Sequence, residues 1–195
     1  MIEWAKMEAA MLKSVSALAG AALSLTVAGG AQASTFVIGG LAGECSTLAR
    51  AGRTDSDSRD VCARALSFEP LNDHDRAGTY VNRGSMELGA RLNEDAHNDF
   101  RAALRIAPSM GEAHVGEGAY LISQERFPEA EAEISQGLGL GSEEPEKGYY
   151  FRAIARWGQD NYKGAYEDFN QAIALKPRWP LPREQLKNFR VETQR

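Results

Sequence analysis

DFRAALRIAP (residues 99–108) and DFNQAIALKP (residues 168–177) share an opening Asp-Phe, an Ala, two aliphatic places and a closing Pro. Their starts lie 69 residues apart, a distance that fits two units of 34 or 35 residues. Extending the alignment outward yields three such units, 77–110, 111–145 and 146–179. Small residues recur at the eighth place of each (Gly84, Gly118, Ala153) and at the twentieth (Ala96, Ala130, Ala165). Larger apolar residues follow four places later (Phe100, Ile134, Phe169), and then Ala103, Gly137 and Ala172. Pro108 and Pro177 close two of the units.

Within each unit two stretches carry apolar residues at helical spacing. Tyr162, Ala165, Tyr166, Phe169 and Ile173 fall on one helix face. The small residues at the eighth and twentieth places suit a close crossing of two helices, where a larger side chain would overpack. Asn93 is expected to cap a helix, with Glu94 and Asp95 in its first turn. Pro128 suits a first helical position. A two-helix unit cannot bury its apolar face alone, so the units must stack.

The pattern resembles the tetratricopeptide repeat (TPR) family, whose unit is 34 residues folded as two antiparallel helices. The resemblance covers about residues 39–180. None of the units has the family's Trp at the fourth place, and the unit at 111–145 lacks the closing Pro. It implies an all-α, TPR-like α-solenoid of three clear repeats and one degenerate repeat, followed by a C-terminal capping helix. Counting back from Pro70 places the degenerate first repeat within residues 34–72. Its second helix is expected to be SRDVCARALSFEP, after a long polar loop, AGRTDSDSRD. LNDHDR then adds a short linker before the three repeats of 77–180. Residues 181–195 are expected to form the solvating end helix and tail that such arrays need, with Leu186 and Phe189 on one face.

Ahead of the repeats, Lys13 precedes the apolar run SVSALAGAALSLTVAGG, which ends in the small-x-small triplet Ala31-Gln32-Ala33. A basic start, an apolar middle and such an end describe a secretory signal peptide over 1–33, cleaved after Ala33. The run is shorter than the ~20 residues a transmembrane helix needs. Glu3 and Glu8 fit poorly before a signal peptide, so Met11 is the expected start. The expected location is the bacterial periplasm or the exterior, and no membrane insertion is expected after cleavage.

The formal net charge of -5 and the lack of a lysine or arginine run argue against nucleic-acid binding. The histidines His74, His97 and His114 have no metal-ligand spacing; His74 reads as linker and His97 as exposed helix face. No nucleophile elbow, HExxH or phosphate-cradling glycine motif is present. The acidic runs EAEAE (129–133) and SEEPE (142–146) read as solvated faces. No cofactor and no enzymatic activity are expected.

The resemblance also implies a concave groove lined by the first helix of each repeat. Its groove places fall on Val81, Ser85 and Leu88, on Val115, Ala119 and Ile122, and on Tyr150, Ile154 and Trp157. That set is apolar and aromatic, so the expected function is a scaffold or adaptor taking an apolar segment of a partner protein, with Tyr150 and Trp157 as anchors. Asn82 matches one place of the family's carboxylate clamp, but no lysine stands at the others. The alternatives are a self-associating structural array and a thiol-redox enzyme using Cys45 and Cys62.

Cys45 sits in LAGECS (41–46), where Leu-Ala-Gly resembles the start of a lipid-attachment signal but Glu44 interrupts it. Residues alone leave it as lipid anchor, reactive thiol, metal ligand or half of a disulfide. The two cysteines are 17 apart and form no C-x-x-C. In the repeat register, Cys45 and Cys62 fall at places that face each other within a unit. The resemblance therefore implies a Cys45–Cys62 disulfide tying the first hairpin.

Overall fold

Helices carry the repeat pattern in the computed structural model, which describes residues 40–189 and, outside them, the backbone of two short strands. In chain order the helices are α1 (Gly40–Arg50), α2 (Ser56–Phe68), α3 (Asp73–Gly89), α4 (Asn93–Ile106), α5 (Gly111–Ser123), α6 (Phe127–Gly139), α7 (Pro145–Trp157), α8 (Tyr162–Leu175) and α9 (Pro180–Leu186). Short loops fold α1 onto α2, α3 onto α4, α5 onto α6 and α7 onto α8. Each pair then packs on the next, through α2 and α3, α4 and α5, and α6 and α7. The result is an α-solenoid of four helix pairs closed by α9. Described by itself, the two-stranded piece pairs Ile2–Glu3 (β1) antiparallel with Glu192–Thr193 (β2). The expected signal peptide and its cleavage site lie outside the described residues.

The small residues mark where helices cross. A Cβ on Gly84 would stand 2.9 Å from the Phe100 ring, and one on Gly118 would stand 2.3 Å from Ile134 Cγ1. Phe100, Ile134 and Phe169 are fully buried at the same place of successive repeats, each beside a buried alanine four places earlier. Burying side chains of this size yields about 2 kcal/mol each, and the repeat spacing distributes that gain evenly along the array.

The starts of α2, α3 and α8 carry short polar caps. Asp55 accepts from the Ser58 amide, Asn72 from the Asp75 amide and Asn161 from the Gly164 amide. Asn93 is not a cap: it is the first residue of α4, and Leu92 precedes it without a side-chain cap bond. Because Asp55 caps α2 at Ser56, the loop expected over 51–60 ends five residues early, and half of it is helix. The expected linker around His74 is likewise helical, since the Asn72 cap starts α3 at Asp73 and lengthens it to 17 residues. The C-terminal helix is shorter than expected and ends at Leu186.

Turns inside the three clear repeats share one strained residue. Arg91, Glu125 and Asp160 have φ of 64°, 58° and 59°, at the same place of each repeat. In the first repeat that role falls to Gly52, with φ of 71°.

Candidate functional site

The first helices stack directly on one another, α1 on α3, α3 on α5 and α5 on α7. They form one continuous face, and the groove residues read from the sequence lie along it. Their accessibility corrects the expected apolar surface. Val81 is 9% exposed, Val115 6% and Tyr150 8%, so these three are floor and not contact surface. Val81 is packed among Ala77, Ala103 and Ala113. Val115 lies against the sites of Gly137 and Gly148, between α6 and α7. Tyr150 is covered by Trp179, with ring centroids 4.9 Å apart, and burial pushes its hydroxyl pKa up. Ala119 is buried as well, whereas Ser85 is exposed and Leu88, Ile122, Ile154 and Trp157 are half-buried.

Trp157 is not an open anchor either. Its ring lies 5.2 Å from Phe189 and 6.5 Å from Phe169. Phe189 also meets Tyr166 and Phe169, so the segment after α8 covers the apolar end of α7 and α8. Leu186 and Phe189, expected on a solvating helix, have their apolar side in this cluster.

Polar side chains build a second repeating feature. In the second repeat Arg83 donates to both carboxylate oxygens of Asp99, at 2.6 and 2.7 Å. In the fourth, Arg152 grips Asp168 in the same way, at 2.8 and 2.9 Å. Each arginine also lies over a tyrosine three residues earlier, Tyr80 at 5.6 Å and Tyr149 at 5.2 Å. The carboxylate in each pair raises the pKa of its arginine. Sequence reading missed this unit, although Asp99 and Asp168 open the two segments that first exposed the repeat.

The third repeat puts His114, Glu117 and Glu133 at the places that hold Tyr, Arg and Asp in its neighbours. Histidines replace the missing arginines as partners. His114 Nδ1 lies 2.8 Å from Glu133, and His97 Nδ1 lies 2.9 Å from Glu117. His97 is therefore half-buried and stacked on Tyr120, at 4.3 Å, not on an exposed face. The EAEAE run is not simply solvated: Glu133 holds His114, and Glu131 accepts from Arg156 at 2.7 Å and from Gln159 at 2.8 Å. Burial of Glu131 opposes its ionisation, but those hydrogen bonds prevail and hold its carboxyl below the usual range. Arg156 reaches Asp168 as well, at 2.9 Å.

Glu87 is the exception in this network. One oxygen lies 3.7 Å from Arg83, which is already committed to Asp99. The other is the one buried side-chain polar atom without a hydrogen-bond partner among the described residues. Burial, and then the charge of Asp99, push the Glu87 carboxyl up to about 7.

Cys45 and Cys62 are both fully buried, with Cα atoms 4.9 Å apart and sulfurs 2.15 Å apart. The Met86 sulfur lies 3.9 Å from that of Cys62. Among the described residues no group of three His, Cys, Asp or Glu side chains is placed to hold a metal, and no helix is long and apolar enough to cross a membrane.

No protein-family model matches this chain, and no curated protein matches it. Solved structures do. The Arabidopsis OM64 TPR domain aligns with a TM-score of 0.51 at 18% identity, over 60% of this chain and 98% of that one. A crystal structure of MamA aligns with a TM-score of 0.51 at 16% identity, over 71% of this chain and 77% of that one. The MamA RS-1 ArsTM double mutant aligns with a TM-score of 0.52 at 15% identity, over 73% and 76%. At these identities the likeness concerns the fold, which is that of TPR domains.

Proposed function

We propose that the chain is a non-enzymatic scaffold that binds a partner protein or peptide along the face of its stacked first helices. The observation that carries this reading is the direct stacking of α1, α3, α5 and α7 into one continuous face. Ser85 stands exposed on that face, and Leu88, Ile122 and Ile154 stand half-buried along it. Val81, Val115 and Tyr150 shape the floor from below. Trp157 contributes through its uncovered edge, because Phe189 shields the rest.

The scaffold works in the cell envelope or outside the cell, after a signal peptide is removed at Ala33. Two fully buried cysteines with Cα atoms 4.9 Å apart support a Cys45–Cys62 disulfide, as expected in an oxidising compartment. N-terminal sequencing and a thiol count on protein recovered from the exported fraction test both statements. Free thiols on both residues would overturn the disulfide, and recovery with residues 1–33 attached would overturn the cleavage.

Binding is tested with Ser85→Arg, which puts a long cation on the face without disturbing the core. Wild type and variant are used as bait on an envelope extract, with melting temperature as the control for folding. The proposal requires a partner that wild type retains and the variant loses at unchanged melting temperature. An identical set of captured proteins from both baits rejects the groove.

A further inference from the structure

The twenty-first place of each repeat faces the next repeat. In the second repeat this place is His97, which meets Glu117 of the third repeat at 2.9 Å. In the third it is Glu131, which meets Arg156 of the fourth repeat at 2.7 Å. Both joints therefore carry a complementary pair, from α4 to α5 and from α6 to α7. In the first repeat the same place is Arg59, three residues before Cys62 just as His97 is three before Phe100 and Glu131 three before Ile134. Glu87 of the second repeat holds the place that Arg156 holds in the fourth, four residues after the Tyr-Arg-Asp arginine.

Arg59 and Glu87 are thus the charge-reversed counterparts of Glu131 and Arg156. Here, however, the pair is not made. The Arg59 guanidinium donates to the Thr54 carbonyl, and Glu87 Oε2 has no hydrogen-bond partner. Thr54 itself sits against α3, its Cγ2 only 2.7 Å from where a Cβ on Gly89 would be. Arg59 is therefore held beside the same end of α3 that carries Glu87, and α2 packs on α3.

We propose that Arg59 and Glu87 form a proton-gated clasp between the first and second repeats. With Glu87 protonated, Arg59 rests on the Thr54 carbonyl. With Glu87 ionised, Arg59 leaves that carbonyl and pairs with the Glu87 carboxylate. The surroundings favour this partner. On α3 itself, Arg83 is occupied by Asp99. From α4, Asp95 and Asp99 face Glu87 and repel its charge. On α1, Glu44 and Arg50 are exposed, and Arg50 donates to Ser46. On α5, Glu112 accepts from the Glu143 amide, Glu117 is held by His97, and His114 by Glu133. Arg59 is the cation that repeat geometry brings to Glu87 from α2. Burial and Asp99 hold the unpaired Glu87 carboxyl up at about 7, and pairing with Arg59 draws it lower, so the clasp closes on the acid side of neutrality.

The consequence is a first repeat whose attachment to the array depends on pH, while the later joints use other chemistry. The test measures melting temperatures of the full chain at pH 5.5 and pH 8.5 for wild type, Arg59→Gln, Glu87→Gln and the double variant. Arg59→Gln is expected to cost several degrees more at pH 8.5 than at pH 5.5, because only then does it strand an ionised Glu87. In the Glu87→Gln background that extra cost is expected to vanish. An Arg59→Gln cost that is equal at both pH values, or that persists undiminished in the Glu87→Gln background, overturns the clasp. Hydrogen exchange on α1 and α2 gives a second reading: protection should fall selectively there in Arg59→Gln at pH 8.5, and a uniform fall across α5 to α8 would also overturn it.

Discussion

Arg152 and Asp168 are joined by two hydrogen bonds of 2.8 and 2.9 Å, across the same 16-residue separation that joins Arg83 to Asp99. The Asp168 carboxylate is nearly buried, at 5% side-chain exposure, and it also accepts from Arg156. Removing it leaves two half-buried guanidinium groups facing each other, with Glu131, Ser135 and the Tyr149 ring as their remaining partners. Asp168→Ala should therefore cost about 3–5 kcal/mol, as breaking a buried pair from one side does. Urea denaturation measures it. A cost below that of an ordinary surface substitution would show the pair to be dispensable.

Gly118 and Gly43 predict opposite outcomes for the same change. A Cβ at Gly118 would lie 2.3 Å from Ile134 Cγ1, whereas one at Gly43 meets nothing within 4 Å. Gly118→Ala should destabilise by about 1–3 kcal/mol through overpacking. Gly43→Ala, on an exposed stretch of α1, should be neutral or stabilise by up to about 1 kcal/mol through helix propensity. Thermal denaturation of the two variants side by side decides the matter, and equal effects would place the helix crossing elsewhere.

Glu87 gives stability a specific pH dependence. Its folded pKa is raised to about 7 from 4.5. Its contribution is fully present below pH 4.5 and is lost as pH rises through 7. Glu87→Gln keeps the shape and removes the charge, so relative to wild type it should gain on the order of 1–2 kcal/mol between about pH 5 and pH 8. A difference between the two proteins that stays flat over that range contradicts the assignment.

Asp55 caps α2 through the Ser58 amide and also accepts from the Ser58 hydroxyl and from Arg53. Those hydrogen bonds, Arg53 first, hold its carboxyl well below the usual range. Asp55→Ala should lower the melting temperature by a few degrees, as loss of a helix cap does. The loss should appear first as faster amide exchange in the opening turn of α2. Unchanged exchange there would mean the helix starts without help from Asp55.

The repeat was legible in the sequence because it rests on volume. Gly84, Gly118 and Ala153 must be small wherever Phe100, Ile134 and Phe169 are large, and size survives as a visible period. Charge pairing was not legible. Arg83 and Arg152 share a place with Glu117, and the partners change to histidine in between, so no residue type holds that place in all three repeats. Accessibility of the groove was misread for a different reason. Val115 and Tyr150 are buried by segments later in the chain, Gly137 and Gly148 in one case and Trp179 in the other, and a place in a repeat does not say how closely its neighbour sits. The helix starts at Ser56 and Asp73 were missed because Asp55 and Asn72 lie in polar stretches that read equally well as loop.

Arg91, Glu125 and Asp160 give the array one more property. Each holds a left-handed backbone that an L side chain adopts at a cost of about 1 kcal/mol, and each does so at the turn of a different repeat. In a linear array, stability is close to a sum of local terms. Exchanging Glu125 for glycine should therefore tighten the third repeat by about 0.5–1 kcal/mol and leave the others as they were, which residue-resolved hydrogen exchange would show. The three turns act as separate tension screws. The breathing of each clear repeat can be set on its own, and where the solenoid first opens is decided turn by turn.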